Sequence, residues 1–345
     1  MEVFGFIIAA GAALISALTV WLVKWRAPRL GLVDTPNDRS SHVTPTPTGG
    51  GLGIVVGGSL AGLLLVGFWE PQVGITVITA GALLAFIGFW DDRQGVAIKW
   101  RLAAQVLLAG LVIGIFPLDP AAAVLGITLP EGVLLVLIVL AVVAFINLFN
   151  FMDGIDGLAA GEAIFLLLGA ALLAVVRMPG VEFHPFLWWM VALAGAVLGF
   201  LPFNWPPARI FMGDTGSTYL GLMIGFFAFV TISGAWLTPW QWLILAGLFL
   251  ADGVVTLGRR AVRRAPLLRA HRSHAYQHLA RRLQSHGRVS ALYMAINVML
   301  LLPLAWVAGQ WPLAGPWVAL VTAAGLAGFV LQAGAGAASG HEAHD

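Results

Sequence analysis

Asp153 and Asp156 stand in the stretch NLFNFMDGIDGLAAGEA (147–163), between two apolar runs, GVLLVLIVLAVVAFI (132–146) and IFLLLGAALLAVV (164–176). Acids recur at similar borders: Asp91 and Asp92 in GFWDDRQG (88–95), Asp214 in IFMGDTGSTYLG (210–221), Asp34 and Asp38 in DTPNDRSSHVTPTPTGGG (34–51), and Asp252. Close carboxylates repel, and burying them is costly unless a cation or a donor compensates. A hard divalent cation answers such a set, because Mg²⁺ takes oxygen ligands and commonly bridges to phosphate. Phosphate chemistry at a membrane surface is the chemistry these residue types suggest.

The spacing adds detail. Asn147, Asn150, Asp153 and Asp156 recur every three residues, which on a helix places them on one face. Amides beside carboxylates suit ribose, base or sugar hydroxyls, and Gly154 and Gly157 permit a turn. In GDTGS, Thr215 or Ser217 is the expected helix cap, with Asp214 near the helix N-terminus, where free N–H groups favour anions. The segment lacks the Lys and the preceding strand of a Walker P-loop. In the first polar loop Arg39 and His42 are candidates for anion contact. The stretch 257–290 carries nine arginines and four histidines. A topological anchor or lipid-headgroup patch accounts for arginines as a group. Arg272 and His274 are candidates for phosphate contact, and His271, His274 and His278 share one face if that stretch is helical. Zinc binding there would need a fourth ligand and usually a more compact pattern.

The elements that must position these residues are membrane spans. The chain has 345 residues, 60% hydrophobic and 10% charged, with no Cys, which excludes disulfides and thiolate ligands. An all-α polytopic membrane protein is expected, with eleven transmembrane segments near 3–23, 50–68, 73–90, 100–117, 131–148, 158–176, 186–203, 216–233, 239–256, 290–308 and 312–332. The first run has no basic residue before it and no clear cleavage site, and reads as a retained span. Of the 18 Lys and Arg residues, all but Arg177 fall on one side of this map or at its edge. The positive-inside rule makes that side cytoplasmic, with the N-terminus periplasmic and the C-terminus cytoplasmic. The basic residues then answer to topology and membrane lipids, and no nucleic-acid partner is expected. Residues 1–332 form one transmembrane catalytic domain, and the small polar tail 333–345 is expected to be disordered.

In this order, DTPNDRSSHVTPTPTGGG, FWDDRQG, NLFNFMDGIDGLAAG, IFMGDTGS and HRSHAYQHL resemble the polyprenyl-phosphate N-acetylhexosamine-1-phosphate transferase family over about residues 1–330. The resemblance implies transfer of a sugar 1-phosphate from a UDP-N-acetylhexosamine to undecaprenyl phosphate, releasing UMP. It implies Mg²⁺ as cofactor, with Mn²⁺ as a substitute, a multi-pass protein of the bacterial inner membrane, and a site on its cytoplasmic face. A homodimer is compatible with it. Together with the readings of the residues above, it places catalytic roles at Asp91, Asp92, Asp214 and His274, metal binding at Asp214 and Asp91, and substrate binding at Arg39, His42, Asn147, Asn150, Asp153, Asp156, Arg272 and His278. Asp91 is expected to position the attacking phosphate or take its proton, with a nucleophilic role left open. Tyr276 and Gln277 stand where family members often carry histidines. That wording is closer to the branch initiating O-antigen and other surface polysaccharides, with GlcNAc, GalNAc, QuiNAc or FucNAc donors, than to the phospho-MurNAc-pentapeptide branch. A secondary transporter is the rival class. It would want acids near the bilayer midplane and internal repeats, and neither is seen.

Overall fold

A computed structural model describes residues 2–36, 44–118, 126, 129–266 and 272–337, and shows an all-α bundle. Its helices are α1 (Glu2–Leu30), α2 (Gly51–Leu65), α3 (Pro71–Gln94), α4 (Ile98–Gly114), α5 (Glu131–Phe151), α6 (Leu158–Arg177) and α7 (Pro185–Asn204). They continue with α8 (Gly213–Ser233), α9 (Pro239–Leu245), α10 (Gly247–Val262), α11 (Ala275–Leu283), α12 (His286–Ile296), α13 (Leu302–Gln310) and α14 (Gly315–Ala333). A π turn, Asn297–Leu301, joins α12 to α13, and Asn297 at its start donates to Glu162 of α6 at 2.6 Å.

Among the described residues, eight helical stretches are long and apolar enough to cross a membrane, or nine if α9 and α10 count as one broken span. All eleven expected segments are helical, but α2 and α4, at 15 and 17 residues, fall short of the roughly 20 that a full crossing needs. The expected continuous run 239–256 is bent by 74° between α9 and α10. Gly247 sits at that break beside Leu326 of α14, where a Cβ would lie 2.9 Å from the leucine methyl.

Helices α6, α7 and α8 form the centre, their apolar windows 72%, 72% and 83% buried, whereas α14 and the α12–α13 stretch keep only 28%. The peripheral helices therefore turn apolar side chains outward, as lipid-facing helices do. Where lipid and helix are equally apolar, close backbone approach holds helices together. Gly195 and Gly199 of α7 provide it, leaving room for the carbonyls of Ala9 and Ala13 on α1.

The C-terminal ends of α3 and α5 and the N-terminal end of α8 meet at one end of the bundle. The first polar loop joins them there. Val33–Asp34 and Thr46–Pro47 form a short antiparallel pair. Phe211 N then donates to Pro47 O (2.8 Å), and Gly50 N and Gly51 N donate to Phe211 O (2.8 Å) and Met212 O (2.9 Å). The triple glycine thus docks the loop against the GDTGS segment. Arg39 and His42 lie outside the described residues.

Disorder expected from residue 333 onward does not fit its first part. Gly336 N donates to Ser273 O (2.7 Å), Arg259 to Ala335 O (2.6 Å) and Arg263 to Gly336 O (2.8 Å), and Ala335 is buried. Arginines assigned to topology instead satisfy the carbonyls that follow α14. Residues 338–345 lie outside the described residues.

Candidate active site

Asp91 and Asp92 occupy the last turn of α3 and do different work. Asp92 Oδ1 accepts from Asp214 N (2.9 Å), and its Oδ2 accepts from Thr215 N (3.3 Å) and Thr215 Oγ1 (3.0 Å). It caps the N-terminus of α8 from a neighbouring helix. The expected caps, Thr215 and Ser217, do not serve: Thr215 Oγ1 donates to Asp92, and Ser217 Oγ reaches Asn150 and Gly213 O. Gly213 has φ +72°, and a Cβ there would meet Asp92 Oδ2 at 2.5 Å, so the capped turn has no room for a side chain.

Asp91 Oδ1 accepts from Val96 N, and its Oδ2 pairs with Arg101 Nη1. Arg101 Nη2 also pairs with Asp214 Oδ2 at 2.8 Å. Asn150 completes the group. With its amide nitrogen toward Asp214 it donates to Asp214 Oδ1 (3.1 Å) and Ser217 Oγ (2.8 Å), while its oxygen accepts from Arg101 (3.1 Å). Asp91, Asp214 and Asn150 are thus brought together as expected. Arg101, counted in the sequence only as a topological charge, is the residue that reasoning missed. The one available signal was its place one turn into α4, directly after the turn that leaves Asp91.

The row of residues three apart does not continue as a helical face. Helix α5 ends at Phe151, and residues 152–157 form an irregular loop that closes on Gly157 at φ +74°. Asn147, within α5, donates to Gln105 Oε1 (2.6 Å) and Val143 O (2.8 Å). Asp153 lies in that loop, within electrostatic reach of Asp214, Asp92 and Asp156. Burial first, and then the charges of those acids, push its carboxyl well above the usual range. Asp156 points elsewhere: its carboxylate accepts from Ala208 N (3.0 Å) and lies 3.2 Å from His286 Nδ1. Asn204 ties the same loop down, accepting from Gly157 N (2.9 Å) and donating to Ile210 O (3.1 Å).

The histidine segment is built around Asp252. This fully buried carboxylate accepts from Ala275 N (2.8 Å), Tyr276 N (3.0 Å) and the Tyr293 hydroxyl (3.0 Å), and sits 3.2 Å from His274 Nδ1. Helix α11 begins only at Ala275, so His274 is its N-cap and does not share a helical face with His278; His271 lies outside the described residues. The bond at His274 Nδ1 runs to Asp252, and its ring is 2% exposed between Phe151 and Tyr276. His278 packs on Gly334, and burial, then Arg281 and Arg282, hold its imidazole below the usual range. Tyr276 and Gln277, the two departures from the family wording, are structural. The tyrosine hydroxyl donates to Phe151 O (2.9 Å), and Gln277 Oε1 accepts from His274 N (3.2 Å).

Two cavities border this centre. One, of about 840 Å³, is mostly apolar and runs from Arg101, Asn147 and Phe151 along α5, α8 and α10 to Pro239 and Trp242. The other, of about 600 Å³, is polar and lined by Asp156, Pro206, Arg272, Gln277, Arg281 and His286. Oxygens of Asp91, Asp214 and Asn150 gather around the Arg101 guanidinium, donors of the kind a hard divalent ion takes, although among the described residues no group of three or more acids or histidines is spaced to hold a metal ion.

Residues 74–232 match the family model described as Glycosyl transferase family 4. The chain is 31% identical over 301 residues to the Bacillus subtilis (strain 168) protein named "Probable undecaprenyl-phosphate N-acetylglucosaminyl 1-phosphate transferase", covering 81% of this chain and 79% of that one. It is 32% identical over 289 residues to the phospho-N-acetylmuramoyl-pentapeptide-transferase of Synechococcus sp. (strain RCC307), covering 74% and 78%. It is 32% identical over 240 residues to the decaprenyl-phosphate N-acetylglucosaminephosphotransferase of Mycobacterium tuberculosis (strain ATCC 25618 / H37Rv), covering 62% of this chain and only 57% of that relative. On the motifs, the all-α membrane bundle and these matches, the chain belongs to glycosyl transferase family 4, the polyprenyl-phosphate N-acetylhexosamine-1-phosphate transferases.

Proposed function

We propose that the chain transfers a sugar 1-phosphate from a UDP-N-acetylhexosamine to undecaprenyl phosphate, as the first membrane step of a surface polysaccharide. The observation that carries this is the junction at Arg101, where the carboxylate cluster opens onto an apolar cavity of about 840 Å³. A phosphate at that junction would have its polyprenyl tail among helices and its charge beside Arg101. The polar cavity beside Asp156, Arg272, Arg281 and His286 suits the nucleotide-sugar. In the same reading all eleven helical segments sit in the inner membrane, α2 and α4 as short ones and α9–α10 as a broken one, the N-terminus is periplasmic, and the site faces the cytoplasm.

The reaction joins an oxygen of the lipid phosphate to the β-phosphorus of the donor. The bond from that phosphorus to the bridging oxygen breaks, and the oxygen leaves with UMP. Such transfers need positioning and charge neutralisation more than covalent chemistry. Asp91 and Asp214, with Asn150 beside them, would hold Mg²⁺, which when bound would supply the neutralisation. Asp92 fixes the start of α8 and so aims Asp214. Asp91 orients the incoming phosphate, which is already largely dianionic near neutral pH and needs little help from a base. Asn150, in the last turn of α5, and Asp153, on the loop that Asp156 ties to Ala208 and His286, are the groups assigned to reading the donor.

Membranes containing the protein should release UMP from UDP-GlcNAc only when undecaprenyl phosphate and Mg²⁺ are both present. D214N should lower that rate by at least about 100-fold, because an amide is a poor substitute for a charged Mg²⁺ ligand. UMP release without the lipid would sink the reading. Relatives named as phospho-N-acetylmuramoyl-pentapeptide-transferases match at similar identity. Competition among UDP-GlcNAc, UDP-GalNAc, their 6-deoxy forms and the UDP-MurNAc-pentapeptide decides the donor.

A further inference from the structure

The carboxylates offered to a cation already hold one. Asp91 and Asp214 each use Oδ2 on the same guanidinium, Asp91 at Nη1 and Asp214 at Nη2 (2.8 Å). Their other oxygens are engaged elsewhere, Asp91 Oδ1 by Val96 N and Asp214 Oδ1 by the Asn150 amide. Asp92 cannot relieve either of them, because its three bonds keep it at the start of α8. The two carboxylates already converge on one cation through their Oδ2 atoms, which makes that pair, now spanned by Arg101, the natural common position for a divalent ion. Arg101 is able to yield. It lies in the first turn of α4, its side chain is 23% exposed, and it lines the apolar cavity, so its stem can turn without moving α3 or α8.

We propose that Arg101 is a built-in competitor for the cation: guanidinium and divalent ion take the same two carboxylate oxygens in turn, so the ion binds weakly until an anionic diphosphate draws Arg101 away. The nature of that anion rests on the transferase reading; the competition does not. Linkage makes the effect reciprocal: a diphosphate that favours the displaced arginine tightens the ion by the same factor by which the ion tightens the diphosphate. Ion and nucleotide would then arrive together, and the empty site would keep its acids neutralised without stripping divalent ions from solution.

The test uses the full-length protein in detergent, with Mn²⁺ as probe and free Mn²⁺ read by electron paramagnetic resonance. UDP is the diphosphate, and its own complex with Mn²⁺ is measured separately and subtracted. R101Q should bind Mn²⁺ roughly tenfold more tightly than the wild type without UDP, within the range usual for coupled sites. UDP should tighten Mn²⁺ binding to the wild type and do little for R101Q. R101K keeps the charge but cannot span two carboxylates with a planar fork, and should fall between. Equal or weaker Mn²⁺ binding by R101Q overturns the proposal. So does an R101K that melts like the wild type yet binds no more tightly, which covers the case of an unstable R101Q. If the affinities follow this order but the wild type releases no UMP, the competition stands and the transferase reading falls.

Discussion

Asp153 lies within electrostatic reach of Asp214, Asp92 and Asp156, and among the described residues no ion pair holds it. Its carboxyl is raised by burial and then by Asp214, Asp92 and Asp156, so the folded protein holds this proton to a higher pH than the unfolded chain does. Stability must therefore fall as pH rises from the unfolded value, about 3.9, toward the raised folded one. D153N has no proton to lose. Without divalent cation it should melt a few degrees above the wild type at about pH 8, and the gap should close toward about pH 4. A gap that ignores pH would show that the carboxyl is not raised. Residues of this kind were legible because acids at the ends of apolar runs need a reason. Arg101 was not, because an arginine beside a span already has one in topology, and only the return of α4 against α3 turns it toward Asp91. Asn204 was hidden for a similar reason: a lone amide at a helix end gives no signal until Gly157 is found against it.

At the scale of elements, the helices follow the apolar runs closely, while their interruptions do not. The span expected over 131–148 runs on to Phe151, and the face shared by Asn147 through Asp156 on a helix ends there, where Tyr276 takes the carbonyl and fills the space beside Gly154. A Cβ at Gly154 would collide with the Tyr276 hydroxyl. G154A should therefore push the 152–157 loop off α11 and cut activity by about tenfold or more, the scale on which small misplacements at a reacting centre act. Y276F removes the colliding oxygen and its bond to Phe151, at a stability cost of about 1 kcal/mol. The double variant G154A/Y276F should regain part of the lost activity although it is less stable than Y276F alone. If the double variant is no better than G154A, the loop is not positioned by this contact. The late start of α11 has the same kind of cause. Asp252, on a different helix, takes the first amides, and no local pattern around HRSHAYQHL shows that.

For the whole molecule, one end of the bundle collects Asp91, Asn150, Asp153 and Asp214 from separate segments, and the transferase reading requires that end to be cytoplasmic. The distribution of Lys and Arg argues for this, with only Arg177 of the 18 on the opposite side. Several of those arginines are now seen to bond carbonyls of the chain itself, Arg209 to Pro202 and Arg259 to Ala335, so their placement reflects folding as well as topology. A direct test is therefore needed, and the absence of native Cys makes it clean. Single cysteines at Gln94, Arg209 and Arg288 should mark the site end, with Gln72 and Pro179 marking the other; all five positions are exposed. A membrane-impermeant thiol reagent added to cells with a permeabilised outer membrane should label Gln72→Cys and Pro179→Cys and spare the other three. Inverted membrane vesicles should reverse the pattern, which separates true orientation from a thiol hidden by folding. Labelling of Gln94→Cys and Arg209→Cys from opposite sides would mean that Asp91 and Asp214 do not share a compartment. The guanidinium spanning them could not then exist in the membrane, and both the transferase reading and the competition at Arg101 would fall together.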